Sequence, residues 1–126
     1  MEATKAIRWE KSYVVASMKA TKANKMVLLY FYAPGWGCCD KLDYVTYPET
    51  KVADFINRYF VPARIDFKDN PDVAAKFGVM WSPTILFIDP VDGIVHHQFT
   101  GYLPPDAYLA ETHIGLGKIA FDHNKF

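Results

Sequence analysis

The two cysteines of the chain, Cys38 and Cys39, are adjacent and follow Trp36-Gly37. Thiol chemistry is what they could carry. A thiolate attacks a disulfide sulfur, and a second thiol resolves the mixed disulfide. Neighbouring cysteines cannot staple distant parts of a chain, so no disulfide framework is expected. They could close a small ring on each other. Helical backbone, however, points successive side chains about 100° apart, so such a bridge has to unwind a helical turn. Cys38 could instead be a solvent-facing single thiol in a first helical turn, where thiolate character rises. Cys39 behind it could be an inert thiol packed as a small hydrophobe.

Histidine offers little more. His96 and His97 are adjacent on an expected strand, so their side chains point to opposite faces and one at most could join a site. His113 and His123 fall on a final helix or tail. Neither Cys-x-x-Cys nor His-x-x-x-His spacing occurs, and zinc wants four converging ligands. No metal and no cofactor are expected.

These residues need a scaffold, and 126 residues suit one domain. The chain is 51% hydrophobic and 16% aromatic, ample for a core. Lys+Arg and Asp+Glu number 14 each, without a long run of either sign. That balance argues against nucleic acid and anionic membranes as partners. The apolar runs are strand-sized, too short to span a bilayer. Met1-Glu2-Ala3-Thr4-Lys5 lacks the basic region and apolar core of a signal peptide, so a cytoplasmic protein is expected.

Trp9, Tyr13, Ala16 and Ala20 recur at helical spacing and predict an amphipathic helix within residues 1–24. Met26 to Tyr32 runs apolar without alternation, as a strand covered on both faces does, and Ala33-Pro34-Gly35 ends it. Beyond the cysteines, Pro48 is expected to kink or divide a helix whose second part aligns Val52, Phe55, Ile56 and Tyr59. Val61 to Phe67 alternates, and Pro62 argues for an edge strand.

Asn70-Pro71-Asp72 predicts a helix start with a capping amide, and Gly78 its stop. Thr84 to Ile88 is a further buried strand. Asp89-Pro90-Val91-Asp92-Gly93 turns it into Ile94 to Phe99 as a hairpin. Pro104-Pro105-Asp106 opens a last helix. The order predicts an α/β domain: a mixed sheet of about four strands with helices on both faces.

This order resembles the thioredoxin fold, and particular residues support the resemblance. Thioredoxin-like proteins carry Ala-x-Trp-Cys-x-x-Cys-Lys-x-Met between the first strand and its helix. Here the text is Ala33-Pro34-Gly35-Trp36-Gly37-Cys38-Cys39-Asp40-Lys41-Leu42. With Ala33 and Leu42 setting the register, Cys39 falls on the family's second cysteine and Trp36 on the place of the first. Gly78-Val79-Met80-Trp81-Ser82-Pro83-Thr84 is similar to the loop whose cis-proline faces the active site, with Pro83 in that place. Gly101 matches a glycine that lets substrate backbone approach.

The resemblance implies thiol–disulfide chemistry through Cys38 and Cys39. Its groove for an extended peptide is lined by Trp36, Trp81, Ser82, Pro83 and Gly101. Partners would then be protein or peptide thiols and disulfides. Indole has no sulfur and no proton to lose near neutrality, so the ordinary two-thiol cycle is not expected at Trp36. The family's buried acid would fall at Tyr30, which removes that aid to proton transfer. The alternative is a redox-inert module that binds proteins or peptides, with Trp36 as a plug and Trp81 either in the groove or in the core. Tyr47-Pro48-Glu49 and Phe60-Val61-Pro62 resemble a branch whose domain can precede tetratricopeptide repeats. Residues 112–126 are similar to the start of such a repeat, or form a C-terminal tail.

Overall fold

The computed structural model describes residues 6–34 and 37–124, the side chains of Cys38 and residues 118–124 excepted. Its strands are β1 (Met26–Tyr32), β2 (Phe60–Asp66), β3 (Thr84–Ile88) and β4 (Val95–Thr100). Its α-helices are α1 (Tyr13–Ala23), α2 (Gly37–Lys41), α3 (Thr50–Tyr59), α4 (Pro71–Lys76) and α5 (Pro105–Asn124). The sheet runs in the order β2-β1-β3-β4. β1 is parallel to β2 and antiparallel to β3, and β3 is antiparallel to β4.

The unbroken apolar run of β1 has its physical reason in that order. Leu28 and Tyr30 point into one core cluster with Val52, Ile56 and Tyr108, from α3 and α5. Val27, Leu29 and Phe31 point into the other with Ala16, Ala20 and Ala74, from α1 and α4. A strand with helices on both sides has no solvent face to make polar.

Pro62 sits on the edge strand, as its missing N–H requires. Its carbonyl points outward and accepts from Glu10 N–H at 2.8 Å, while Arg64 N–H donates to the Glu10 carbonyl at 2.9 Å. Glu10 thus forms a parallel bridge opposite Ala63 and covers part of the edge.

That bridge corrects the expected N-terminal helix. Ser12 is the cap, its Oγ accepting from Val15 N–H at 3.2 Å, so the helix begins at Tyr13 and leaves Trp9 outside. Residue 10 cannot both extend the sheet and start a helix. Trp9 crosses to the opposite cluster, its ring 5.5 Å from that of Tyr30 and 5.0 Å from that of Tyr47.

Pro48 divides the helix after the cysteines. α2 runs into a π-helical stretch, Leu42–Thr46, and α3 restarts at Thr50. In the interval Thr46 Oγ1 donates to the Leu103 carbonyl at 2.6 Å, and the Tyr47 and Tyr108 hydroxyls meet at 2.8 Å. The division is thereby tied to the start of α5. Asn70 departs from expectation. Pro71 does open α4, but the Asn70 amide donates back to the Asp66 carbonyl at 3.0 Å instead of capping the helix. Gly78 ends α4 with its N–H on the Ala75 carbonyl.

The hairpin forms with Gly93 N–H donating to the Asp89 carbonyl at 2.7 Å. α5 runs unbroken from Pro105 to Asn124. Among the described residues no helix is long and apolar enough to cross a membrane.

Gly115 lets α5 lie close on the sheet: a Cβ there would stand 2.7 Å from ring atoms of the buried Phe87. Gly115→Ala should therefore lower stability by about 1–2 kcal/mol, overpacking outweighing the better helix propensity. Urea unfolding checks it; an alanine variant as stable as the parent would show that Phe87 has room to move.

Candidate thiol site

Three segments meet at the sulfur of Cys39. The buried end of β1 leads into Ala33, the short α2 supplies Cys39, and the loop before β3 supplies Ser82. Cys39 is 1% exposed. Its Sγ accepts from Ala33 N–H at 3.5 Å and lies 3.3 Å from Ser82 Oγ. Ser82 Oγ also reaches the Phe31 carbonyl at 3.4 Å. The sulfur is thus clamped between the end of β1 and the residue before Pro83.

The Ser82–Pro83 peptide is cis. The Pro83 carbonyl accepts from Gly101 N–H at 2.9 Å, which ties the loop to the chain just after β4. Gly101 has φ 88°, and a Cβ added there would meet nothing within 4 Å. Its need for glycine is therefore conformational, with open space beside the backbone. Trp81 is 69% exposed and Met80 75%, so Trp81 is not a core residue and stands at the rim. The Trp81 carbonyl, by contrast, is fixed, accepting from Thr84 Oγ1 at 2.7 Å.

The structure therefore gathers Cys39, Ser82, Pro83 and Gly101 at one place, with Trp81 at its margin. Cys38 is the second residue of α2, and its side chain lies outside the described residues. Trp36 lies outside them altogether.

Tyr30 stands fully buried under the site. Its hydroxyl is 3.4 Å from the Cys39 carbonyl and 3.4 Å from Asp43 Oδ1. Burial pushes the Tyr30 hydroxyl far above the ordinary tyrosine range, and the Asp43 carboxylate and Cys39 push it further, against the opposing pull of Arg64. Asp43 is held from the other side by Arg64, Nη2 to Oδ2 at 2.8 Å. The guanidinium stacks over the Tyr32 ring with its carbon 3.6 Å from the centroid. Asp43 and Arg64 are functional candidates that the reading of the sequence missed. The signal was present: Asp43 is four residues after Cys39, a spacing that puts both on one helix face.

His96 and His97 are engaged away from this site. His97 Nε2 meets Glu111 Oε1 at 2.6 Å, and His96 Nε2 meets Asp92 Oδ2 at 3.2 Å. Among the described residues, one group has a metal-like arrangement, with ligand atoms of Asp89, Asp92 and His96 all within 4.8 Å of one another. Its carboxylates also serve the hairpin turn, Asp89 accepting from Val91 N–H and Asp92 from Ile94 N–H, both at 2.8 Å.

Comparison with known proteins agrees with this geometry. A family model described as a thioredoxin-like domain matches residues 14–113. A thioredoxin of Chlorobaculum thiosulfatiphilum is 32% identical over 95 residues, covering 74% of this chain and 83% of that protein. Among solved structures, DsbH oxidoreductase superposes with a TM-score of 0.80 at 20% identity, covering 91% of this chain and 88% of that one. A thioredoxin from Thermus thermophilus gives a TM-score of 0.79 at 21% identity, covering 97% and 98%. At those identities the two structures speak for the fold.

Because the space beside Gly101 is open, Gly101→Ala should cost backbone strain alone, about 1–2 kcal/mol. Urea unfolding measures it. A loss above about 4 kcal/mol would point to a collision that this geometry does not contain.

Proposed function

The chain belongs to the thioredoxin-like domain family, and on that footing we propose that it is a thiol–disulfide exchange protein working through Cys38 and Cys39 without the family's first cysteine. One observation carries this reading: Cys39 Sγ is seated 3.3 Å from Ser82 Oγ, beside the cis Ser82–Pro83 peptide. The sulfur holds the inner position of a two-thiol site, and Cys38 precedes it in the first turn of α2.

The chemistry runs with one thiol at a time. A cysteine of this chain loses its proton and attacks a sulfur of a peptide disulfide. The new S–S bond joins the two proteins, the old one breaks, and the departing sulfur leaves as a thiolate. Release needs a second thiol, either the neighbouring cysteine through a strained vicinal bridge or a small cellular thiol. The extended peptide would lie against Trp81, Ser82, Pro83 and Gly101.

A redox-inert binding module is the second reading. The burial of Cys39 together with the exposure of Met80 and Trp81 favours it, since aromatic side chains often anchor interfaces. Residues 112–126 as the start of a helical repeat are a separate proposal, resting on their resemblance to one; as far as Asn124 they continue α5.

The test mixes reduced protein with a peptide disulfide, quenches with acid and weighs the products. The exchange reading expects an adduct that disappears in the Cys38→Ser, Cys39→Ser double variant. Absence of that adduct leaves the binding module standing, and that second reading expects Trp36→Cys to gain disulfide reductase turnover because the rest of the loop is intact.

A further inference from the structure

We propose that Asp89, Asp92 and His96 of the β3–β4 hairpin form a site for a divalent transition-metal ion, zinc being the ion that the donor set fits. The site lies at the far end of β3 from Pro83, and the inference stands apart from the exchange reading.

The three side chains meet because the ladder between β3 and β4 is irregular there. Phe87 pairs with His97 and Ile88 with Val95, so the register steps over His96, the mark of a β-bulge. A bulge re-aims the side chain that it carries. His97 turns toward α5, its Nε2 2.6 Å from Glu111 Oε1 and its ring 5.4 Å from that of Phe87. His96 turns to the hairpin instead, with Nε2 3.2 Å from Asp92 Oδ2. With Asp89 included, the ligand atoms all lie within 4.8 Å of one another.

Burial separates this group from a patch of surface acids. Asp89 is fully buried and the His96 side chain is 11% exposed, while that of Asp92 is 38% exposed. The donors are also oriented before an ion arrives. Val91 N–H donates to Asp89 Oδ1 and Ile94 N–H to Asp92 Oδ1, both at 2.8 Å. Such bonds fix carboxylates as outer-shell partners fix metal ligands.

Two carboxylates and a neutral imidazole present two negative charges, which a divalent ion cancels. Oxygen donors alone suit calcium or magnesium, whereas an imidazole nitrogen shifts the preference toward zinc and its first-row neighbours. Donor atoms around a tetrahedral zinc stand about 3.3 Å apart, close to the separation already present between His96 and Asp92. On binding, His96 Nε2 gives up any proton it holds and coordinates the ion, and water takes the fourth position on the exposed Asp92 side. The ion then ties the end of β3 to the start of the edge strand β4.

The test uses the full chain carrying Cys38→Ser and Cys39→Ser, because thiolates bind zinc by themselves. Zinc chloride in phosphate-free buffer is the probe, followed by calorimetry and by amide NMR shifts. One zinc should bind per chain, and the amides that move should be those of residues 89–97. His96→Gln and Asp92→Asn should each weaken binding by about tenfold or more, at least the loss that removing a mere orienting partner brings. Saturating zinc should raise the unfolding midpoint of the starting protein and leave that of His96→Gln where it was. Thermal unfolding without metal establishes that each variant is folded; should His96→Gln unfold, Asp92→Asn and the NMR map decide. Zinc that fails to bind at millimolar concentration, or that binds His96→Gln equally well, overturns the site. Calcium bound as tightly as zinc, and unaffected by His96→Gln, removes the imidazole from the account and overturns it as well.

Discussion

Everything near the sulfur depends on β1 being buried on both faces. Its side chains divide between two core clusters, and the strands on either side hold it by parallel and antiparallel pairing. A strand so constrained cannot shift by one residue without exchanging its faces. Ala33, which follows it, is thereby fixed, and so is the N–H that meets Cys39. The same register puts Tyr30 beneath the site and Phe31 where its carbonyl meets Ser82. Full burial of those side chains contributes about 1.5–3 kcal/mol each, far more than any single contact at the sulfur.

From that base the site is assembled by short, separately tethered pieces. The loop before β3 is held by Thr84 on the Trp81 carbonyl and by Gly101 on Pro83. The helix carrying Cys39 is only five residues long and changes to a wider π-helical stretch at once. Tyr47 and Thr46 then anchor that stretch to the start of α5 and the segment before it. The π-helical stretch presents Asp43 to Tyr30 and Arg64 on its way. A carboxylate therefore arrives from the helix side although the strand side offers only a tyrosine.

How much of this was legible varies with the range of the interaction. Hydrophobic runs and turn residues marked β1, β3, the hairpin and the break at Pro48, because each depends on local pattern. Trp9 misled because its helical spacing from Tyr13 is real, while the pull of the β2 edge on Glu10 is a long-range bond. Asn70 misled for the same reason at shorter range: Asp66 offered its amide a nearer partner than the helix did. Cys39 and Ser82 were both marked as site residues, but their meeting across the fold needed coordinates. The partnership of Asp43 with Arg64 and Tyr30 needed them too, since three separate elements supply it. Exposure at Trp81 ruled out the core as its place, which sequence text alone left open.

The central claim is that the sulfur of Cys39 is sealed between Ala33 and Ser82 within an intact fold. Counting alkylated cysteines by mass, residue by residue, before and after unfolding in urea addresses it directly. Native protein given brief exposure to iodoacetamide should leave Cys39 unmodified, and unfolded protein should modify it fully. Native labelling of Cys39 as fast as that of a free model thiol would contradict the account.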